Sequence, residues 1–424
     1  MELGGPAADG APEPGVCALL APGNQLVSLA SDVAHKCILE GRVCCVKLNP
    51  VNDYALRVLE KSLRPLVAAG ALRVVCGGRD VGAALVDHPA VDSVHLTGSE
   101  ATYNGVVWRG TPEEDRALAP PPFEKPVTAE LGCVTPYVVV PGKWSQEDVE
   151  AKAAEVAAAL VHNAGCNCLA AQVIVTSKGW IQRDAFIGAL REQLDALQPR
   201  ADYYPGTREK YDRFRSEYDA RARQPGGPEV WEQTVRIPDT LPWTLVTGVP
   251  ERGQELALRE EKWGPILFEV ALEGVPDPPG FMRRAAGFCN ESLYGDLSCS
   301  VFAHPSTLSE HGTEFDGLLA ELRYGSVNVN VATLLGYFFP RLTWGAFPGH
   351  TPAAIGSGVG TVHNAMGLRD VQKSVLHAPW RLPVHPFWHP TQGNMEPTGR
   401  RANKFYAWPN PLNLAALLVA VVRG

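Results

Sequence analysis

Three short segments carry side chains able to do chemistry. The run His162-Asn163-Ala164-Gly165-Cys166-Asn167-Cys168 leaves a helix-like stretch and turns at Gly165. A thiol just past such a turn can face a cleft, and donors or a positive dipole there would lower its pKa and make it a nucleophile. The bland alternative is a packed structural cysteine, since Cys is among the most buried residue types. His162, Cys166 and Cys168 are also potential metal ligands. Their spacing fits no recognised zinc pattern and no second cysteine pair lies nearby, so no metal is expected. In Val127-Thr128-Ala129-Glu130-Leu131-Gly132 a carboxylate ends an apolar strand beside a glycine. Burial in a pocket there would raise its pKa towards that of a general base; a solvated strand end is the alternative. In Ala21-Pro22-Gly23-Asn24 an amide on a fixed turn can donate to an oxyanion, or be an ordinary Asn turn.

The elements that must position these groups alternate in type. Short apolar runs at 16–21, 42–48, 72–76 and 91–96 are separated by helix-like stretches at 27–39, 54–69 and 80–86. This alternation predicts βαβ units and a parallel sheet, which binds ligands at the carboxyl ends of its strands. A Pro-rich stretch, 119–126, interrupts the pattern. A strand at 137–140, a helix over 146–162 with Ser145 as N-cap, a strand at 172–176 and an amphipathic helix over 179–197 follow. Residues 202–239 are expected to be polar and irregular, after which the alternation resumes to about Gly360.

The bulk properties bound the function. The chain has 424 residues, 45% hydrophobic and 20% charged, the balance of a globular enzyme with two domains. A net charge of −8 gives no reason to expect nucleic acid or an anionic membrane as partner. The ten cysteines are scattered and no charged and apolar leader opens the chain, so reduced thiols and a cytoplasmic location are expected. Residues 1–15 are expected to be a flexible lead-in. The apolar run Leu412–Val422 would reach only about 16 Å as a helix, too short for a bilayer, and suits a buried or interface helix.

In order and spacing, these segments resemble the aldehyde dehydrogenase superfamily. The family's Pro-Trp-Asn turn is matched by Pro22-Gly23-Asn24, its Lys-Pro-Ser-Glu strand end by Lys47-Leu48-Asn49-Pro50, and its Phe-Thr-Gly-Ser turn by Leu96-Thr97-Gly98-Ser99. Glu130-Leu131-Gly132-Cys133 matches Glu-Leu-Gly-Gly, and Asn163-Ala164-Gly165-Cys166-Asn167-Cys168 matches Asn-x-Gly-Gln-x-Cys. Glu261-Lys262-Trp263-Gly264-Pro265 is similar to Glu-x-Phe-Gly-Pro, and the match runs from about Val16 to Pro379. Several motifs in order are far more specific than one glycine pattern.

The resemblance implies a doubly wound Rossmann-type cofactor domain over 16–132 and a second α/β catalytic domain over 133–365. An oligomerisation strand with a C-terminal extension, 366–424, would give a homodimer or homotetramer. It implies that Cys168 attacks an aldehyde carbonyl, that Asn24 and the Cys168 N–H hold the oxyanion, and that hydride passes to NAD or NADP. Glu130 would then activate the water that hydrolyses the thioester. Lys47 would contact the adenosine ribose, Gly98 and Ser99 the pyrophosphate, and Glu261 the nicotinamide ribose.

Departures accompany the match. Little of the family's N-terminal portion precedes Pro22, so an incomplete cofactor domain is expected. Pro50 replaces the acid that would argue for NAD over NADP. Cys166 replaces a glutamine, and two thiols two residues apart suggest reversible oxidation. Transfer of the acyl group to coenzyme A is opposed by Glu130; a non-catalytic homologue is opposed by Asn24, Glu130 and Cys168 together.

Overall fold

Strand–helix alternation produces two parallel sheets. The computed structural model describes residues 15–274, 277–382, 389–390 and 395–422, so the expected lead-in lies outside the described residues except for Gly15. The first sheet is built from β1 (Val16–Leu20), β2 (Val43–Lys47), β3 (Leu72–Val75), β4 (Ser93–Thr97) and β5 (Val127–Glu130), parallel and in the order β3–β2–β1–β4–β5. This is a doubly wound order. Its switch point lies between β1 and β4, where successive connections leave towards opposite edges.

Side-chain alternation along β1 explains why both faces are covered. Cys17 and Leu19 pack with Leu29 and Val33 of the helix Leu26–Ala34, while Ala18 packs with Val86, Val91 and Val94 on the other face. The turns Ala21–Asn24 and Thr97–Ser99, which follow β1 and β4, therefore open at the switch point.

The second sheet uses β6 (Pro136–Val139), β7 (Val173–Ser177), β9 (Glu229–Glu232), β11 (Thr244–Thr247), β12 (Ile266–Leu272), β13 (Ser298–Phe302), β14 (Ser326–Val329) and β16 (Ser374–His377). Their order is β16–β14–β13–β6–β7–β12–β11–β9, with only β9 antiparallel to its neighbour. Strands β6, β7, β11 and β13 are buried along their whole length, as strands covered on both faces are. Strands β8 (Arg200–Ala201) and β10 (Thr240–Leu241) form a separate antiparallel pair. Strand β15 (Gly358–Val359) returns to the first sheet, antiparallel to β5, and pairs Gly358 with Glu130.

Local signals held where they were strong. Ser145 caps the helix Gln146–Val161 through a reciprocal capping box with Asp148. Two expectations are corrected. Residues 202–239 are not irregular: Thr207–Ala222 is a helix and β9 follows. Its many charges hide a narrow apolar stripe, Tyr211, Phe214 and Tyr218, which packs on the second core. Of the two roles expected for the C-terminal run, burial within the chain is not found: Pro411–Val422 is a helix in which only Ala420 is buried and Leu412, Leu418 and Val422 are exposed, which leaves the interface alternative. No helix among the described residues is long and apolar enough to cross a membrane.

Candidate active site

The thiol and the carboxylate singled out by sequence meet. Cys168 Sγ donates to Glu130 Oε1 at 3.6 Å, and the Trp344 indole N–H donates to Glu130 Oε2 at 3.1 Å. Glu130 ends β5 and is 4% exposed; burial, reinforced by the negative charge of Asp32, pushes its pKa up to about 8. Burial and the facing Glu130 also push the Cys168 thiol well above its ordinary value. The expected lowering by donors is therefore not what surrounds this sulfur: it rests as a protonated thiol hydrogen-bonded to the Glu130 carboxyl group.

The nucleophile loop is held in costly geometry. Asn163, Ala164 and Gly165 follow one another at φ of 55°, 56° and 78°. Left-handed backbone costs a non-glycine residue roughly 1–2 kcal/mol, so tertiary contacts must hold the turn. A Cβ on Gly165 would stand 2.3 Å from the Gly264 carbonyl oxygen. Glycine is thus needed for close approach as well as for φ, and it presses the cysteine loop onto the Glu261–Pro265 segment.

Asn24 is drawn to the same loop: its Nδ2 donates to the Cys166 carbonyl at 3.2 Å, and Asn163 Nδ2 donates to both the Asn24 and Cys166 carbonyls. An amide nitrogen carries two N–H groups, so one contact leaves a donor for a ligand. Glu261 lies half-buried beside this loop, its pKa raised to about 7 by desolvation. Its Oε2 lies 2.3 Å from where a Cβ on Gly132 would be, and its Oε1 has no hydrogen-bond partner among the described residues. Glycine at 132 is what admits that carboxylate against the base strand.

The remaining expected cofactor positions lie at strand ends. Ser99 caps the helix Glu100–Val107, its Oγ accepting from Thr102 N–H at 3.2 Å, and the Gly98 N–H donates to the Glu130 carbonyl at 3.0 Å. Lys47 ends β2; burial lowers its pKa while Asp53 and Asp80 oppose the shift.

The thiol pair suggested for reversible oxidation is not brought together. Cys166 Sγ contacts Thr207 Oγ1 at 3.4 Å and the Trp263 carbonyl at 3.6 Å, whereas Cys168 Sγ faces Glu130. Gly23, where the family motif has tryptophan, is closely walled: a Cβ would meet Asn49 Cγ and the Tyr204 hydroxyl, each at 2.8 Å. Tyr204 comes from the segment expected to be irregular, and only the tertiary structure brings it here. Trp344 and Asp32 were also missed, having no motif to mark them.

The model titled "Aldehyde dehydrogenase family" matches residues 11–335. The chain belongs to the aldehyde dehydrogenase family. Betaine aldehyde dehydrogenase 2 of Rhizobium meliloti is 25% identical over 338 residues, covering 76% of this chain and 62% of the relative. N-succinylglutamate 5-semialdehyde dehydrogenase of Erwinia tasmaniensis is 26% identical over 337 residues, with 74% and 60% covered. The chain thus spans about three fifths of these curated relatives. Among solved structures, lactaldehyde dehydrogenase from Escherichia coli shares the fold at TM-score 0.63 and 20% identity, covering 84% of this chain and 68% of that one. A Mycobacterium tuberculosis aldehyde dehydrogenase complexed with NAD+ aligns at TM-score 0.60 and 21% identity, covering 84% and 67%. The aldehyde dehydrogenase motifs of the sequence therefore sit on an aldehyde dehydrogenase fold, doubly wound sheet included.

Proposed function

We propose that this chain oxidises an aldehyde to a carboxylic acid with NAD or NADP as acceptor. The observation that carries the reading is the 3.6 Å contact between Cys168 Sγ and Glu130 Oε1 inside a desolvated site. Because the thiol is held protonated, its proton passes to Glu130 as sulfur attacks the carbonyl carbon. The second N–H of Asn24 and the Cys168 backbone N–H receive the oxygen that becomes negative. A nicotinamide dinucleotide, when bound, supplies the two-electron acceptor. Once Glu130 has released that proton to solvent, it takes a proton from the water that attacks the thioester carbonyl and returns it to the Cys168 sulfur as the acid leaves.

The residues fit such a dinucleotide. The orphaned, buried Oε1 of Glu261 is an acceptor a ribose hydroxyl would satisfy, and the Ser99-capped helix start suits a pyrophosphate. Lys47, at the end of β2, would hold the adenosine ribose. NAD+ and NADP are bound by related dehydrogenases named in the solved structures.

We assign 16–132 to cofactor binding, 133–365 to catalysis and 366–424 to oligomer contacts and an extension. A homodimer or homotetramer is supported by β16, an edge strand with Val375 37% exposed. All ten cysteines are free, which supports a reducing cytoplasm.

Purified protein given mixed aldehydes with NAD or NADP is expected to yield reduced cofactor and free acid. Cys168→Ala is expected to yield neither. Turnover persisting in that variant would remove Cys168 from the reaction.

A further inference from the structure

The segment from Trp344 to Gly358 reaches the base from two sides, and a histidine holds it there. Trp344 donates to the Glu130 side chain, and Gly358 lies opposite Glu130 in strand register. Between them Ser357 bonds the base strand twice. Its carbonyl accepts from the Leu131 N–H at 2.8 Å, and its hydroxyl donates to the Gly132 carbonyl at 3.0 Å. Trp108, at the end of the helix Glu100–Val107, donates its indole N–H to the Pro352 carbonyl at 3.0 Å, and Ile355 packs with Ala129 and Leu131.

Asp296, just before β13, anchors Ser357. Its N–H donates to Ser357 Oγ at 2.7 Å, and its Oδ1 accepts from the Ser357 N–H at 3.4 Å. The other carboxylate oxygen, Oδ2, lies 2.6 Å from His350 Nε2, and His350 Nδ1 lies 3.2 Å from the Ala354 carbonyl. Both of these partners are acceptors, whereas a neutral imidazole carries one N–H. Satisfying both takes the doubly protonated ring, whose charge faces Asp296 in a pair of mostly buried side chains. A Cβ on Gly356 would stand 2.3 Å from His350 Cε1, so glycine lets the ring lie against the chain one residue before Ser357.

Asp296 is the charged side chain set against the ring; the Ala354 carbonyl and Gly356 are its close neighbours within its own segment. The bond to Asp296 holds the His350 pKa above its ordinary 6.5, with burial opposing. A histidine raised in this way stabilises fully at low pH, and its contribution is lost as pH climbs from 6.5 through the raised value. The neutral ring keeps one N–H, so either Asp296 or Ala354 loses its bond.

We propose that His350 is a positioning residue for Glu130: its doubly protonated ring, through Asp296 and Ser357, clamps residues 344–358 onto the base strand and releases them as pH rises. Its effect on turnover rests on the oxidation reading above; the clamp itself does not. Release caps turnover on the alkaline side, where Glu130 is ionised.

Hydrogen exchange at the Leu131 amide, read as protection over the intrinsic rate at each pH, follows the clamp without turnover. In Glu130→Gln, where the base no longer titrates, protection is expected to fall about 10-fold between about pH 6 and about pH 9. His350→Gln, with no proton to lose, is expected to show the lower protection at both. Protection that does not change with pH in Glu130→Gln overturns the inference. That arm leaves His350 untouched, so a misfolded His350→Gln leaves the test intact. In turnover, His350→Gln is expected to lower kcat about 10-fold at about pH 7 with KM within about twofold, and to abolish the alkaline fall of the wild-type profile. The wild-type kcat and profile retained in His350→Gln would overturn the positioning role and leave aldehyde oxidation standing. If wild type oxidises no aldehyde, the oxidation reading fails: a His350-dependent fall in protection still supports the clamp, and its absence sinks it.

Discussion

Glu130→Gln is expected to make the protein more stable at alkaline pH, by an amount the fold itself sets. Glu130 is 4% exposed, and burial moves its pKa from an ordinary 4.5 to about 8. A carboxyl raised in the folded state favours folding only while protonated. Stability is therefore fullest below the unfolded value and declines as pH climbs towards 8. At 1.36 kcal/mol for each pH unit the penalty at alkaline pH reaches about 5 kcal/mol, and relaxation of the site lowers the expected gain to about 2–4 kcal/mol. Glutamine keeps the shape and can still accept from the Trp344 indole. Urea denaturation of both proteins at about pH 5 and about pH 9 measures the difference, which should be small at the lower pH and largest at the higher. A variant no more stable than wild type at the higher pH would refute the claim that this carboxyl is desolvated, and with it the physical basis for its role as a base.

Other perturbations test separate links. Trp344→Phe removes a bond that favours ionised Glu130, so the rise of kcat/KM with pH should move upward by about one pH unit; an unmoved profile would detach the indole from the base. Gly165→Ala places a Cβ against the Gly264 carbonyl at positive φ. Losses of about 2–4 kcal/mol in denaturation and of Cys168 alkylation by iodoacetamide are expected, and wild-type behaviour would mean the loop is not so held. Phe214, fully buried and 5.7 Å from the Phe268 ring, should cost about 3–5 kcal/mol on truncation to alanine; a change near zero would return residues 202–239 to the status of a loose excursion.

The chain by itself determined what local physics can encode. Alternating apolar runs set the parallel strands, Ser145 three residues before Asp148 set a helix start, and ordered motifs set the family and a shortlist that included Cys168, Glu130 and Asn24. Charge density misled over 207–222, because a three-residue apolar stripe is too narrow to be seen against so many charges. Tertiary structure decided the ionisation of the site. Whether a thiol is lowered or raised depends on what faces it, and the Cys168 partner is a carboxylate 38 positions away. It also decided the neighbourhood of Asp32, Trp344 and Tyr204, which no spacing rule links to position 168. Contacts across strand register and between distant loops depend on how sheets pack, and desolvation exists only once that packing has excluded water.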